Sequence, residues 1–114
     1  MTIREITRIL DAQLICGEEF LDIDIKTACS SDMMSEVLAF SKDRTLLLTG
    51  LTDPQVMRTA AMMDIRCIVF VRGKQPGREL IELAKENEVA VLSTKMTLYV
   101  ASGTLYMSGL RADE

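Results

Sequence analysis

Four short polar clusters carry the residues able to do chemistry in this chain. They are Thr49, Gly50, Thr52 and Asp53; Arg72, Gly73 and Lys74; Ser93, Thr94 and Lys95; and, less directly, Ser30, Ser31 and Asp32. The first three close the apolar runs Thr45-Leu46-Leu47-Leu48, Cys67-Ile68-Val69-Phe70-Val71 and Val89-Ala90-Val91-Leu92, and each opens a helical pattern. A helix start presents unpaired N–H groups and a partial positive charge, and glycine lets a ligand come close to the backbone. With Arg72, Lys74 and Lys95 added, the chemistry that suits these residues is binding of an anionic small molecule, such as a nucleotide or a phosphorylated metabolite. Taken singly, each is also an ordinary cap, turn or solvated charge. The argument for a site rests on their convergence.

Catalysis has less to work with. Cys29 is the one candidate nucleophile, because a helix start right after it would lower its thiol pKa. The chain contains no His, so no obvious base stands ready. Cys16, Cys29 and Cys67 are odd in number, widely spaced and set in apolar runs, without a Cys-x-x-Cys pair. They read as buried, reduced side chains, neither a zinc set nor a disulfide framework. No Gly-x-x-x-x-Gly-Lys-Ser/Thr loop and no Gly-x-Ser-x-Gly elbow is present, and the carboxylates are scattered over helix faces. The expectation is a non-catalytic protein with no cofactor and no metal.

The elements that must position the clusters follow from hydrophobic pattern. An unbroken apolar run flanked by turn residues reads as a strand buried on both faces, the parallel-sheet case. Right-handed crossovers then bring every strand-to-helix turn to one edge, where open α/β sheets bind ligands. The expected fold is therefore α/β: a mainly parallel, three-layer-like sheet with helices as crossovers, a βαβαβα core from Thr45 onward, preceded by a helix and two short strands.

In chain order, Thr2-Ile3-Arg4-Glu5 is a capping box opening a helix to about Asp11, with Ile3, Ile6, Ile9 and Leu10 as its stripe. Gln13 to Gly17 forms a short strand. Leu21, Ile23 and Ile25 alternate with Asp22, Asp24 and Lys26, predicting a second strand near a sheet edge that continues to Cys29. Met33, Met34, Val37 and Leu38 predict a helix ending near Phe40, followed by a charged turn, Ser41 to Arg44. Asp53-Pro54 starts a helix carrying Val56, Met57, Ala60, Ala61 and Met63. Gly73-Lys74-Gln75-Pro76 precedes another, with Leu80, Ile81, Leu83 and Ala84, stopped by Asn87. The last helix carries Leu98, Ala101 and Leu105 with Gly103 inside it, so that glycine either permits close packing or breaks the helix. Arg111 to Glu114 should fray.

Composition sets outer limits. The 114 residues suit one domain, 1–114, with a real core. Aromatics make up only 4 %, so the core falls to aliphatic side chains and some of the eight Met. The formal charge of −4 comes without a basic block, which argues against nucleic acid as a partner. No signal peptide and no membrane-length apolar run appears, and a cytoplasmic protein is expected.

At this point the chain resembles a DRTGG domain. The resemblance rests on Thr49-Gly50-Leu51-Thr52-Asp53, Val71-Arg72-Gly73-Lys74-Gln75-Pro76 and Val91-Leu92-Ser93-Thr94-Lys95, each following a strand. The opening, Ile3 to Leu10 and Leu14-Ile15-Cys16-Gly17-Glu18-Glu19, is similar to the start of the N-terminal domain of HPr kinase/phosphorylase. The literal Asp43-Arg44-Thr45 precedes its strand. The family's Asp-Arg-Thr turn is therefore matched by Gly50 to Asp53, without an Arg, and its Thr-Gly-Gly by Arg72-Gly73-Lys74. The resemblance implies a regulatory accessory domain of the kind found beside metabolic enzymes, a homodimer, and no kinase activity. Two functions are thus expected to compete: a stand-alone sensor of an anionic ligand, or a protein–protein interaction subunit of a larger enzyme complex with no ligand of its own.

Overall fold

The computed structural model describes residues 1–40 and 45–111. The turn expected at Ser41 to Arg44 and the last residues expected to fray, Ala112 to Glu114, lie outside them. In order come α1 (Ile3–Ile9), β1 (Gln13–Cys16), a 3-10 turn (Glu18–Phe20), β2 (Thr27–Ser30), α2 (Met34–Phe40), β3 (Thr45–Thr49), α3 (Gln55–Met62), β4 (Cys67–Phe70), α4 (Arg78–Glu86), β5 (Ala90–Ser93) and α5 (Leu98–Met107). They build one five-stranded sheet in the order β1-β5-β4-β3-β2. β2 to β5 run parallel, and β1 pairs antiparallel with β5, with a bulge between Leu14 and Cys16.

The alternation of side chains along a strand divides the core in two. Leu46, Leu48, Cys67, Val69, Ala90 and Leu92 meet Ile3, Ile6 and Leu10 from the α1 end and Ala101 and Leu105 from α5. Leu47, Ile68, Phe70 and Val91 meet Val37, Met57, Ala60, Leu80 and Ala84 from α2, α3 and α4. All three central strands are buried throughout, as unbroken apolar runs require. The expected three-layer α/β architecture is the one observed.

The second expected strand forms only in its last part. The alternating stretch Leu21 to Lys26 stays outside the sheet, and β2 begins only at Thr27. Its carbonyls serve α1 instead: Ile3 N–H donates to Ile23 O (3.2 Å) and Arg4 N–H to Leu21 O (2.8 Å), satisfying first-turn donors that have no partner within the helix. Ile25 is buried, and Leu21 and Ile23 pack partly against the same core, so the period-two pattern is real but lies along a helix end. The capping box at Thr2 and Glu5 forms as expected, and helix α1 stops at Ile9.

Gly103 does neither of the two things expected of it. α5 runs through it unbroken, and a Cβ placed there would meet no atom within 4 Å. Met33 and Leu38, expected in the stripe of α2, are also exposed, leaving Met34 and Val37 to bury that helix.

Candidate functional site

The parallel strands end together, so the segments following β2, β3, β4 and β5 meet along one edge. Ser31 N–H donates to Leu48 O (3.1 Å), which draws the residues after β2 alongside the end of β3. Asp32 is thereby placed over that end. Its Oδ1 accepts from Thr49 Oγ1 (2.9 Å) and from Gly50 N–H (2.8 Å), and Leu51 N–H donates in turn to Thr49 Oγ1 (3.1 Å). Thr49 is wholly buried, and its hydroxyl is fully engaged as donor and acceptor.

The turn after β4 is built from two consecutive left-handed residues, Arg72 (φ +56°) and Gly73 (φ +68°). For a non-glycine residue such as Arg72 this conformation is uncommon and must be held by its surroundings. It is held by Arg72 N–H to Met96 O (2.8 Å), Gly73 N–H to Thr94 O (2.8 Å) and Lys74 N–H to Val71 O (3.1 Å). Because those backbone donors are used internally, the turn offers solvent its two side chains, Arg72 and Lys74, both exposed. The guanidinium Nη2 of Arg72 lies 3.1 Å from where a Cβ on Gly50 would sit, and both oxygens of Asp32 lie 3.7 Å from the same point. Glycine at position 50 thus makes room for an arginine of its own chain.

The residues after β5 act as braces. Ser93 Oγ donates to Lys74 O (2.8 Å), and Thr94 Oγ1 donates to Leu10 O (2.8 Å) at the end of α1. Both side chains are buried. Lys95 is exposed. Asp53 accepts from Gln55 N–H (2.8 Å) and caps α3, with Thr52 half-buried beside it. Of the expected site residues, Gly50, Arg72 and Lys74 therefore converge with Asp32, Ser93 and Thr94 hold the turns from behind, and Thr52 and Asp53 shape the start of α3. Ser31 caps the first turn of α2 through Met33 N–H (3.0 Å), whereas Ser30 turns to the opposite face and bonds Ser102 Oγ (2.6 Å). Leu10 enters this edge because β1 runs antiparallel, a link with no local signal in the sequence.

The Gly50 amide, above all, holds the Asp32 carboxyl below its ordinary range; partial burial opposes this, and the Thr49 hydroxyl and the charges of Arg72 and Lys74 add to it. A carboxylate depressed in the folded state contributes stability that is fully present above its unfolded value, near pH 4, and is lost as pH falls through the lower folded value. The stability difference between wild type and Asp32→Asn should accordingly be largest at neutral pH and shrink below about pH 4, as read from urea midpoints. A difference that stays constant to about pH 2.5 would show that the ionised carboxylate does nothing here.

The cysteines offer no comparable constellation. Burial pushes the Cys67 thiol far above its usual value and raises that of Cys16. α2 begins at Met34, so no helix start abuts Cys29, which packs half-buried against the core beneath α2, α3 and α4. Among the described residues no group of three or more His, Cys, Asp or Glu is placed to hold a metal ion, and no helix is long and apolar enough to cross a membrane.

Comparison with known proteins places this geometry in context. The sequence matches the DRTGG domain family over residues 5–106. Its fold is similar to a crystal structure of the CBS and DRTGG domains of the regulatory region of Clostridium perfringens pyrophosphatase, complexed with the activator diadenosine tetraphosphate. The TM-score is 0.77 at 21 % identity, covering 94 % of this chain and 46 % of that one. This chain therefore spans less than half of that neighbour's length, and at such identity the likeness speaks for the fold. No protein of curated function matches the sequence.

Proposed function

The chain belongs to the DRTGG domain family, and from that premise we propose that it is a non-catalytic regulatory module that senses an anionic small molecule at the carboxyl edge of its sheet. The observation that carries this reading is the placement of two exposed cations, Arg72 and Lys74, on a rigid turn beside Gly50, with Lys95 exposed after the next strand. A turn whose backbone is held by hydrogen bonds while its cations stay exposed presents charge without having to be ordered first, which favours binding. The class of ligand is that of the neighbour, whose regulatory region was solved with a nucleotide activator. A regulatory region of an enzyme also supplies the precedent for a partner: an enzyme whose activity the bound state would tune. The similarity of the opening segment to HPr kinase/phosphorylase fits the same regulatory class, and a cytoplasmic setting fits such a partner.

The test is a thermal-shift screen with ribonucleotides, nucleotide sugars and phosphorylated metabolites. Ligand at about 100 times its dissociation constant should stabilise the domain by about 2.7 kcal/mol, several degrees in melting temperature. Arg72→Ala, removing a charge-assisted contact, should weaken binding roughly 10–100-fold. A panel that shifts nothing would sink the sensor.

A second reading is favoured by α5. This helix contains no charged residue, yet Tyr99 and Met107 are 88 % and 86 % exposed, with Val100 and Tyr106 exposed beside them. They border a shallow groove of about 530 Å³ over Gly103. An apolar helix face left open marks a contact surface. Self-association through α5 would make the module a homodimer; contact with another protein would make it an interaction subunit.

A further inference from the structure

A carboxylate is out of place at a site for a bare anion. Asp32 stands directly beside Arg72, both within 3.7 Å of one spot above Gly50, and its negative charge repels any phosphate brought to that spot. Nor is the carboxylate adventitious: Oδ1 is anchored by Thr49 and Gly50, with the two bonds at 2.9 and 2.8 Å. With one oxygen anchored, no hydrogen bond among the described residues engages Oδ2, which is left as an acceptor at the exposed rim. An anchored carboxylate is an acceptor-only group, and beside two cations it selects a ligand with hydroxyl donors next to its anionic group.

We propose that Asp32 is the specificity-determining residue of this edge, reading the vicinal hydroxyls of a ribose while Arg72 and Lys74 hold the attached phosphate, so that the ligand is a ribonucleotide and not inorganic phosphate or a polyphosphate. The inference rests on the sensor reading above and adds the sugar to it. Charge assignment supports it. Phosphate pairs with guanidinium and ammonium donors, and hydroxyls donate to the carboxylate, so each polar group of the edge meets one of opposite character. A ligand lacking hydroxyls would leave the Asp32 charge facing its phosphate across the same small space.

The experiment is a titration, by calorimetry, of the whole chain with the four ribonucleoside 5′-triphosphates, their 2′,3′-dideoxy counterparts and inorganic triphosphate, on wild type, Asp32→Asn and Asp32→Ala. Asp32→Asn keeps an oxygen to accept from Gly50 and Thr49, so it is the variant that decides if Asp32→Ala fails to fold, and melting curves check both. Wild type should bind at least one ribonucleotide about tenfold or more tighter than its dideoxy form, the range for a hydroxyl donating to a charged acceptor. In Asp32→Asn that preference should collapse to within about threefold, while affinity for the dideoxy form and for triphosphate holds or rises because a repulsive charge is gone. If wild type binds ribo and dideoxy forms equally, or if Asp32→Asn weakens both alike, the ribose assignment is overturned while the anion sensor stands. If no probe binds, the ribose assignment is overturned, and the sensor reading falls with it only if the wider thermal-shift panel is blank as well.

Discussion

Gly17→Ala should destabilise this domain by roughly 2–6 kcal/mol, combining backbone strain with overpacking. Gly17 ends β1 at φ +98°, a conformation that L side chains rarely adopt. A Cβ added there would stand 2.5 Å from the Cα of Ala90 and 2.8 Å from its Cβ. The obstacle is the backbone of β5, which cannot swing aside like a flexible side chain. β1 would have to peel from β5, and with it would go part of the cover over Ala90 and Val91. Domains of this size hold about 5–15 kcal/mol in all, so the variant should melt more than about 10 °C lower or fold only in part. Gly77→Ala is the control: φ is −76°, nothing lies within 4 Å of where its Cβ would sit, and the change should stay within about 1 kcal/mol. Equal melting of Gly17→Ala and wild type would mean that β1 does not approach β5 so closely.

Should two copies meet through the open face of α5, Tyr99→Glu would disrupt that contact. Tyr99, Gly103, Tyr106 and Met107 recur at helical spacing along one face of α5, with the glycine in the middle and large side chains on either side. In a two-fold pairing through this face, a tyrosine of each copy would enter the groove over the other's Gly103. One helix face is smaller than the ~800 Å² per partner of a standard interface, so in such a pairing it would form the centre and neighbouring surface would complete it. A glutamate at position 99 would carry an unpaired carboxylate into that centre, and association should weaken about 100-fold or more. Sedimentation equilibrium of wild type and variant would read this as a dimer converted to a monomer. A variant that remains dimeric would move the contact elsewhere, and a wild type that is monomeric at every concentration would assign α5 to a different protein. Either result also bears on Gly103, where an added Cβ would meet no atom of its own copy within 4 Å.

Much of the fold was legible because the signals were local. Three apolar runs too uniform to have a wet face had to be central parallel strands, and they are. Asp53-Pro54 and Asn87 bounded helices through their own backbone chemistry, within a residue or two of where α3 and α4 begin and end. The Leu21 to Lys26 stretch misled because alternation reports only that one side is buried. It does not say whether the other partner is a strand or, as here, the start of α1. Gly103 misled because a glycine in a helix was expected to matter inside the chain.

The sequence by itself determined which residues would stand at the carboxyl edge, since strand ends and helix starts are written in neighbouring residues. Tertiary structure alone decided how they divide the work. Thr94 reaches Leu10 across 84 positions, and Asp32 meets Thr49 across 17, distances at which no pattern of types can announce a hydrogen bond. Those long-range bonds consume the buried hydroxyls and the turn's amides, because buried polar groups must be satisfied. What stays exposed at the edge is set by that accounting: Arg72 and Lys74 in the open, and Asp32 anchored beside them on Thr49 and Gly50.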